Sequence, residues 1–163
     1  MQMWQVLSHL GYRVNQDFGL VDDDGVVSID WWNHADPQPT PEQIEAARLP
    51  AHRALRWEEI KAERDRRIQT SGYVVNGKRF HSDTFSRTQQ MGLVMLGAAM
   101  PPGLMWKVMD GTFVEMTPTL AQQVFAAAAA SDIALFSHAL ALQAQVNAAE
   151  DPATIDITAG WPG

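Results

Sequence analysis

Three short clusters in this sequence hold residue types that carry chemistry in other proteins. His81-Ser82-Asp83 contains the side chains of a nucleophilic triad, Asp22-Asp23-Asp24 with Gly25 has the acids and glycine of a calcium loop, and Asn76-Gly77-Lys78 sets glycine beside lysine as phosphate loops do. Each fails on spacing. Three consecutive residues cannot line up nucleophile, base and orienter, so Ser82 and Asp83 read as helix caps. Placing Gly25 at the calcium-loop glycine puts Leu20 at the first ligand position and Trp31 where a bidentate Glu is required. Asn76-Gly77-Lys78 lacks the flanking glycine and hydroxyl residue of a phosphate loop and reads as a hairpin turn. The five histidines, His9, His34, His52, His81 and His138, include no pair one helical turn apart, and neither HExxH nor HxH occurs. Asp30, Glu115 and Asp156 are the acids set among strand-like residues, and a glycan hydrolase would need two of them across a cleft. The reading is a protein that is not an enzyme, with no catalytic residue, no cofactor and no metal.

The elements that must position these residues follow from pattern. Trp4, Val6, Leu7 and Leu10 at helical spacing before Gly11 predict a first helix over 2–10. Strand formers on both sides of Asp24-Gly25 predict a hairpin over 17–32. Three prolines within Pro37–Pro41 stiffen a spacer, and Thr40, Pro41 and Gln43 form a helix start with a capping box. Leu49-Pro50 predicts a break in that helix, because proline removes an amide donor.

A second helix over 50–69 shows only Ala54, Trp57, Ile60 and Ile68 as its apolar line, with Arg64, Arg66 and Arg67 alternating with Glu63 and Asp65 on a solvated face. So thin a stripe is expected to bridge modules or to pack on a partner. Tyr73–Phe80, turning at Asn76-Gly77, is the strongest hairpin signal in the chain. Asp83 or Ser82 then caps a helix whose Phe85, Met91, Leu93, Val94, Leu96 and Met100 are expected to bury a wide face. The grammar repeats: a hairpin over 104–116 turns at Asp110-Gly111, and Thr117-Pro118 opens a long alanine-rich helix. Its expected core line is Leu120, Val124, Ile133, Phe136, Leu140 and Val146, with a kink or new cap at Ser131-Asp132.

The fold class is therefore α+β: a small N-terminal helix-plus-hairpin module (1–36), a Pro-rich spacer and charged connecting helix (37–69), then two β-hairpin-plus-helix units packed together (70–163).

Composition narrows function by exclusion. The 163 residues carry a formal charge of −7 and no cysteine, with a sequence pI near 5.0. A chain of this length buries roughly 70% of the surface it exposes when unfolded, so a core forms without disulfides or thiolate metal sites. The acidic balance argues against a nucleic-acid partner, whose phosphates demand a basic patch. No apolar run approaches the roughly eighteen residues of a membrane span, and the first residues lack a signal peptide's basic start, so neither membrane contact nor export is expected. Six tryptophans and eight methionines exceed what a small core needs, and both residue types favour interface centres.

The stretch WEEIKAERDRRIQTSGYVVNGKRFHSDTFSRTQQ, then MWKVMDGTFVEMT, then the long alanine-rich helix and a closing Gly160-Trp161-Pro162, resembles a domain of unassigned biochemistry. That domain occurs in tailed-bacteriophage tail proteins and in the tail fibre assembly proteins encoded beside fibre genes. The resemblance covers about residues 55–163, and VVSIDWWNHADPQPTPEQIEAA before it is similar to a leader of small phage tail proteins. It implies a virion-associated or assembly role on the tail, as a chaperone that binds the receptor-binding fibre or tail tip, or as a retained tail-tip or baseplate subunit. It names no active residues.

The expected partners are the tail fibre or tail-tip protein and a second copy of the chain. The expected location is the bacterial host cytoplasm during assembly, and the virion tail for a retained subunit. The residues assigned to partner binding are Trp31, Trp32, Trp57, Ile60, Arg64, Trp106 and Trp161, with burial as a core anchor the competing role for each tryptophan.

Overall fold

The computed structural model describes residues 1–163. Four α-helices and three antiparallel hairpins make an α+β fold: α1 (Met3–His9), β1 (Phe18–Asp23), β2 (Val26–Trp32), α2 (Pro41–Thr70), β3 (Tyr73–Val75), β4 (Lys78–Phe80), α3 (Thr84–Leu96), β5 (Met105–Lys107), β6 (Phe113–Glu115) and α4 (Pro118–Ala148). Two compact units result. The first joins Met1–Glu59 with Gln143–Asp156, the second Ile60–Leu142 with Ile157–Gly163.

In the first unit, Val6 and Leu7 of α1, Phe18 of β1 and Ile44, Ala47 and Ala51 of α2 form a core. The β1–β2 turn has Asp24 and Gly25 both at positive φ, as a two-residue type I′ turn requires. Asp22 serves that turn rather than a metal: its Oδ1 accepts the Gly25 amide at 2.8 Å. Asp17 closes the loop before β1, accepting both the Arg13 amide and its guanidinium, and these hydrogen bonds hold its carboxyl down to about 2. At the start of α2, Thr40 and Gln43 form the anticipated capping box, Thr40 N–H to Gln43 Oε1 at 2.8 Å and Gln43 N–H to Thr40 Oγ1 at 3.3 Å.

The break anticipated at Leu49-Pro50 is not there: α2 runs thirty residues through Pro50. Ile44, Ala47 and Ala51 keep one helical phase across the proline and are all buried. Tertiary burial on a continuous face outweighs the missing hydrogen bond.

In the second unit one core takes side chains from both hairpins and α4: Tyr73, Val75 and Phe80, Met100, Val108 and Met116, then Ala121, Val124 and Ala128. Leu93 and Val94 of α3 pack against it. The strands pair as Tyr73 with Phe80 and Trp106 with Val114, and Asn76-Gly77 adopts the positive φ pair of a type I′ turn. Lys78 Nζ donates to Asp110 and Thr112 of the other hairpin. Hydrogen bonds from Thr112 and Lys78 bring the Asp110 carboxyl down to about 2. Asp83 caps α3 by accepting the Ser86 amide at 3.0 Å, while Ser82 is buried and accepts the Gly72 amide.

Two helix faces depart from expectation. On α3, Phe85, Met91 and Leu96 point to solvent; the fully buried residue is Gln90, held by the Tyr73 hydroxyl and the His81 carbonyl. On α4 the predicted line is out of phase. Val124 and Val146 are inside, but Ala121, Ala128, Leu135, Ala139 and Leu142 complete the buried row, and Ile133, Phe136 and Leu140 face outward. The buried row mixes Ala121, Ala128 and Ala139 with Val124, Leu135, Leu142 and Val146, and the outer face likewise holds alanines beside its large side chains, so side-chain size does not sort the two faces. Nor does α4 restart at Ser131-Asp132; it is continuous, and Asp132 instead accepts a bidentate pair from Arg87 of α3 at 2.7 and 2.9 Å.

α4 also corrects the expectation that no segment has the length and composition of a membrane span. A window of 18 residues inside Pro118–Ala148 has a mean hydropathy of 1.6. Scattered Gln, Ser, Asp and His interrupt every apolar run, yet the absence of Lys and Arg and the many alanines raise the average. Core helices of soluble proteins meet the same criterion.

Candidate partner surface

The residues assigned to partner binding lie on several elements, three in the first unit and four in the second. In the first unit, Trp31 is exposed on β2 with its indole lying over Gly19, where any Cβ would collide with it. Trp32 is partly buried: its Nε1 donates to the Asp36 carbonyl at 2.8 Å, and its ring meets Tyr12 edge-on at 4.7 Å. Trp57 is half-buried within α2.

In the second unit Ile60 is completely buried. It is a core residue, and α2 runs continuously from the first unit into the second, the bridging alternative expected for so thin a stripe. Trp161 is likewise interior, donating from Nε1 to the Ile157 carbonyl at 2.8 Å, with His138 at its edge and the Arg67 guanidinium 5.4 Å over its ring. Trp106 packs against the hairpin core, and its buried indole N–H meets no acceptor. Arg64 bonds Asp65 and lies 4.4 Å over the Phe136 ring. Of the seven, Trp31 is the most exposed, at 41%.

The charges of α2 pair along the helix and also tie it to the C-terminal segment, where Arg53, Arg56 and Arg67 donate to the carbonyls of Ala149, Ile155 and Thr158. Glu63 accepts from both Arg66 and Arg67; the hydrogen bond from Arg66 is the main reason its carboxyl falls to about 2. Arg56 pairs with Glu59, and Arg48 with Glu45. No three His, Asp or Glu side chains converge where they could hold a metal ion. A concavity of about 780 Å³ in the first unit is bordered by Tyr12, Asp36, Pro37, Pro39 and Pro50. The Thr40 and Gln43 groups on its wall already satisfy each other, so it offers mainly apolar and proline surface.

Exposed apolar side chains instead collect on two helix faces of the second unit. On α3, Phe85, Met91, Met95 and Leu96 stand outside with Thr88 and Gly92 between them, an arc without a charge. On α4 the outward row is Phe125, Ile133, Phe136 and Leu140. Sequence reasoning missed both, assigning most of these residues to the core because they are the largest apolar ones. The signal available was the charge pattern: α4 contains one charged residue, Asp132, so no face of it is marked for water.

An α+β chain with this surface belongs to a class of protein that comparison narrows further. Residues 51–159 match a domain of unknown function, DUF4376, and the chain belongs to that family. Residues 11–64 are similar to the XkdW protein family, which is phage-associated. That match points to a phage setting. No curated protein and no solved structure matches it.

Proposed function

We propose that this protein acts without catalysis in phage tail assembly, covering apolar surface of the receptor-binding tail fibre or tail-tip protein in the host cytoplasm until that protein has oligomerised. The observation that carries the reading is the uncharged outer face of α3, where Phe85 is 72% and Met95 81% exposed. Side chains of that size left in water call for a partner. Methionine suits a partner whose surface changes as it folds, because its unbranched side chain repacks readily. Occupying an apolar patch or strand edge on the fibre blocks pairing with wrong chains during assembly. The similarity of residues 11–64 to a phage-associated family supports the setting.

The test is co-expression of the neighbouring fibre protein with the wild-type chain and with the double variant Phe85→Ser, Met95→Ser. Both positions are solvent-exposed, so the variant keeps its circular dichroism spectrum and melting temperature. The expected result is soluble, trimeric fibre with wild type and aggregated fibre with the variant. Equal yields of trimer with wild type, variant and no partner at all would sink the chaperone reading. Stoichiometric copies in purified virions would replace it with a retained tail subunit.

A further inference from the structure

The outer face of α4 differs from that of α3 in one respect: it is complementary to itself. From Phe125 to Ala141 the outward residues are Phe125, Ala126, Ala129, Ala130, Ile133, Phe136, Ser137, Leu140 and Ala141. Taking Ile133 as the centre, the sequence pairs large with small at three of four levels and small with small at the fourth. Phe125 stands eight residues before the centre and Ala141 eight after; Ala126 and Leu140 are each seven away. Ala129 and Ser137 are each four away, and Ala130 and Phe136 three. When a second copy of this helix lies antiparallel across a two-fold axis at Ile133, each residue meets its opposite number. Every Phe or Leu then falls level with an Ala, and the two Ile133 side chains meet on the axis.

We infer that the protein forms a symmetric dimer through α4, two copies packing antiparallel about a two-fold axis at Ile133. Isologous contacts require a patch that is its own complement, and these nine outward residues have that property with no charge among them. A partner of different sequence would place no such constraint on the spacing. The lack of charge also removes the usual device for selecting a dissimilar partner.

The size fits as well. The face is about 24 Å long at 1.5 Å per residue. Its four large side chains are between 46% and 67% exposed. Each copy therefore contributes on the order of 400 Å² from them, and the alanines bring the pair to the ~1,000 Å² that separates specific interfaces from incidental contacts. Arg64 beside Phe136 and the Arg87–Asp132 pair supply a charged rim. The inference concerns a different face from the fibre reading and stands or falls separately.

The chain has no cysteine, which allows a register test on the full-length protein. Light scattering over a concentration series is expected to give dimer mass for wild type and monomer mass for Ile133→Arg. With a short bis-maleimide, Ile133→Cys is expected to cross-link to itself rapidly. Phe125→Cys and Ala141→Cys are expected to cross-link when mixed and poorly when alone. Ser28→Cys, exposed on β2 in the other unit, is the background control.

Monomer mass at every concentration would overturn the proposal, as would cross-linking of Ile133→Cys no faster than of Ser28→Cys. A dimer that survives Ile133→Arg would also overturn it. So would a monomer that floats with phosphatidylcholine vesicles and loses that binding in Ile133→Arg, which would assign the face to lipid.

Discussion

α2 and α4 have nearly the same length, thirty and thirty-one residues, and meet water in opposite ways. α2 alternates acids and bases, which pair along the helix, as in Arg56–Glu59 and Glu63 with Arg66 and Arg67. α4 carries Asp132 alone and turns Phe125, Ile133, Phe136 and Leu140 outward. The charged helix looks like the interaction element when judged by its thin apolar stripe. Burial reverses that: Ile60 on the stripe is completely interior, so α2 is docked in its own fold, and its arginines take part in that docking, the side chains of Arg56, Arg64 and Arg67 being only 16%, 14% and 21% exposed. The difference teaches that an interaction face is marked less by a shortage of apolar residues than by apolar residues on a side that no charge claims for water.

Substitutions on the two sides of α4 give the largest contrast. Leu135→Ala removes a buried side chain and is expected to cost about 3 kcal/mol in urea unfolding. Ile133→Ala, two residues away and mostly exposed, is expected to change the stability of the monomer by less than ~0.5 kcal/mol. Similar losses at both positions would mean that the outward face is already covered within the chain.

The next contrast lies on α2. Pro50 is exposed and sits inside a continuous helix, so Pro50→Ala restores an amide hydrogen bond and is expected to stabilise by about 2 kcal/mol. A fall in melting temperature would show that the proline shapes the groove between Tyr12 and Gln43 instead.

Asp132→Asn keeps the size of the one acid on α4 while weakening its bidentate bond to Arg87 of α3, for an expected loss of about 1.5 kcal/mol. The smallest effect belongs to the ion pairs of α2. The Glu63 carboxyl lies near 2, against an ordinary 4.5. A depressed acid stabilises fully above its unfolded value, and that contribution fades as pH drops from 4.5 toward 2. Glu63→Gln is expected to cost about 1 kcal/mol at neutral pH and to flatten the acid limb of the stability curve. An unchanged acid limb would place the helix's acid sensitivity elsewhere.

Much of the local structure was legible because its causes are local. Gly11 after α1, the positive-φ pairs Asp24-Gly25 and Asn76-Gly77, the Thr40–Gln43 box and the Asp83 cap each depend on residues within a few positions of one another, and all appear where pattern puts them. The candidate surface was not legible in this way. Of the predicted residues, Ile60 and Trp161 belong to the interior, and the exposed side chains of α3 and α4 had been assigned to the core. Periodicity finds apolar positions at helical spacing, but α4 is apolar on every side, so no phase stands out. Choosing the largest residues as the inner ones then selects the wrong face.

By itself the sequence determined the α+β class, the three hairpins and their turns, the helix starts, and the shortage of charge in α4. Only the tertiary structure decided that α2 continues through Pro50, that Gln143–Asp156 joins the first unit, and which side of α4 is covered. Capping and turn chemistry act over three or four residues and leave their mark in the chain. The choice of a buried face depends on how elements distant in sequence meet, and α4, apolar on every side, carries no local mark of which side that is.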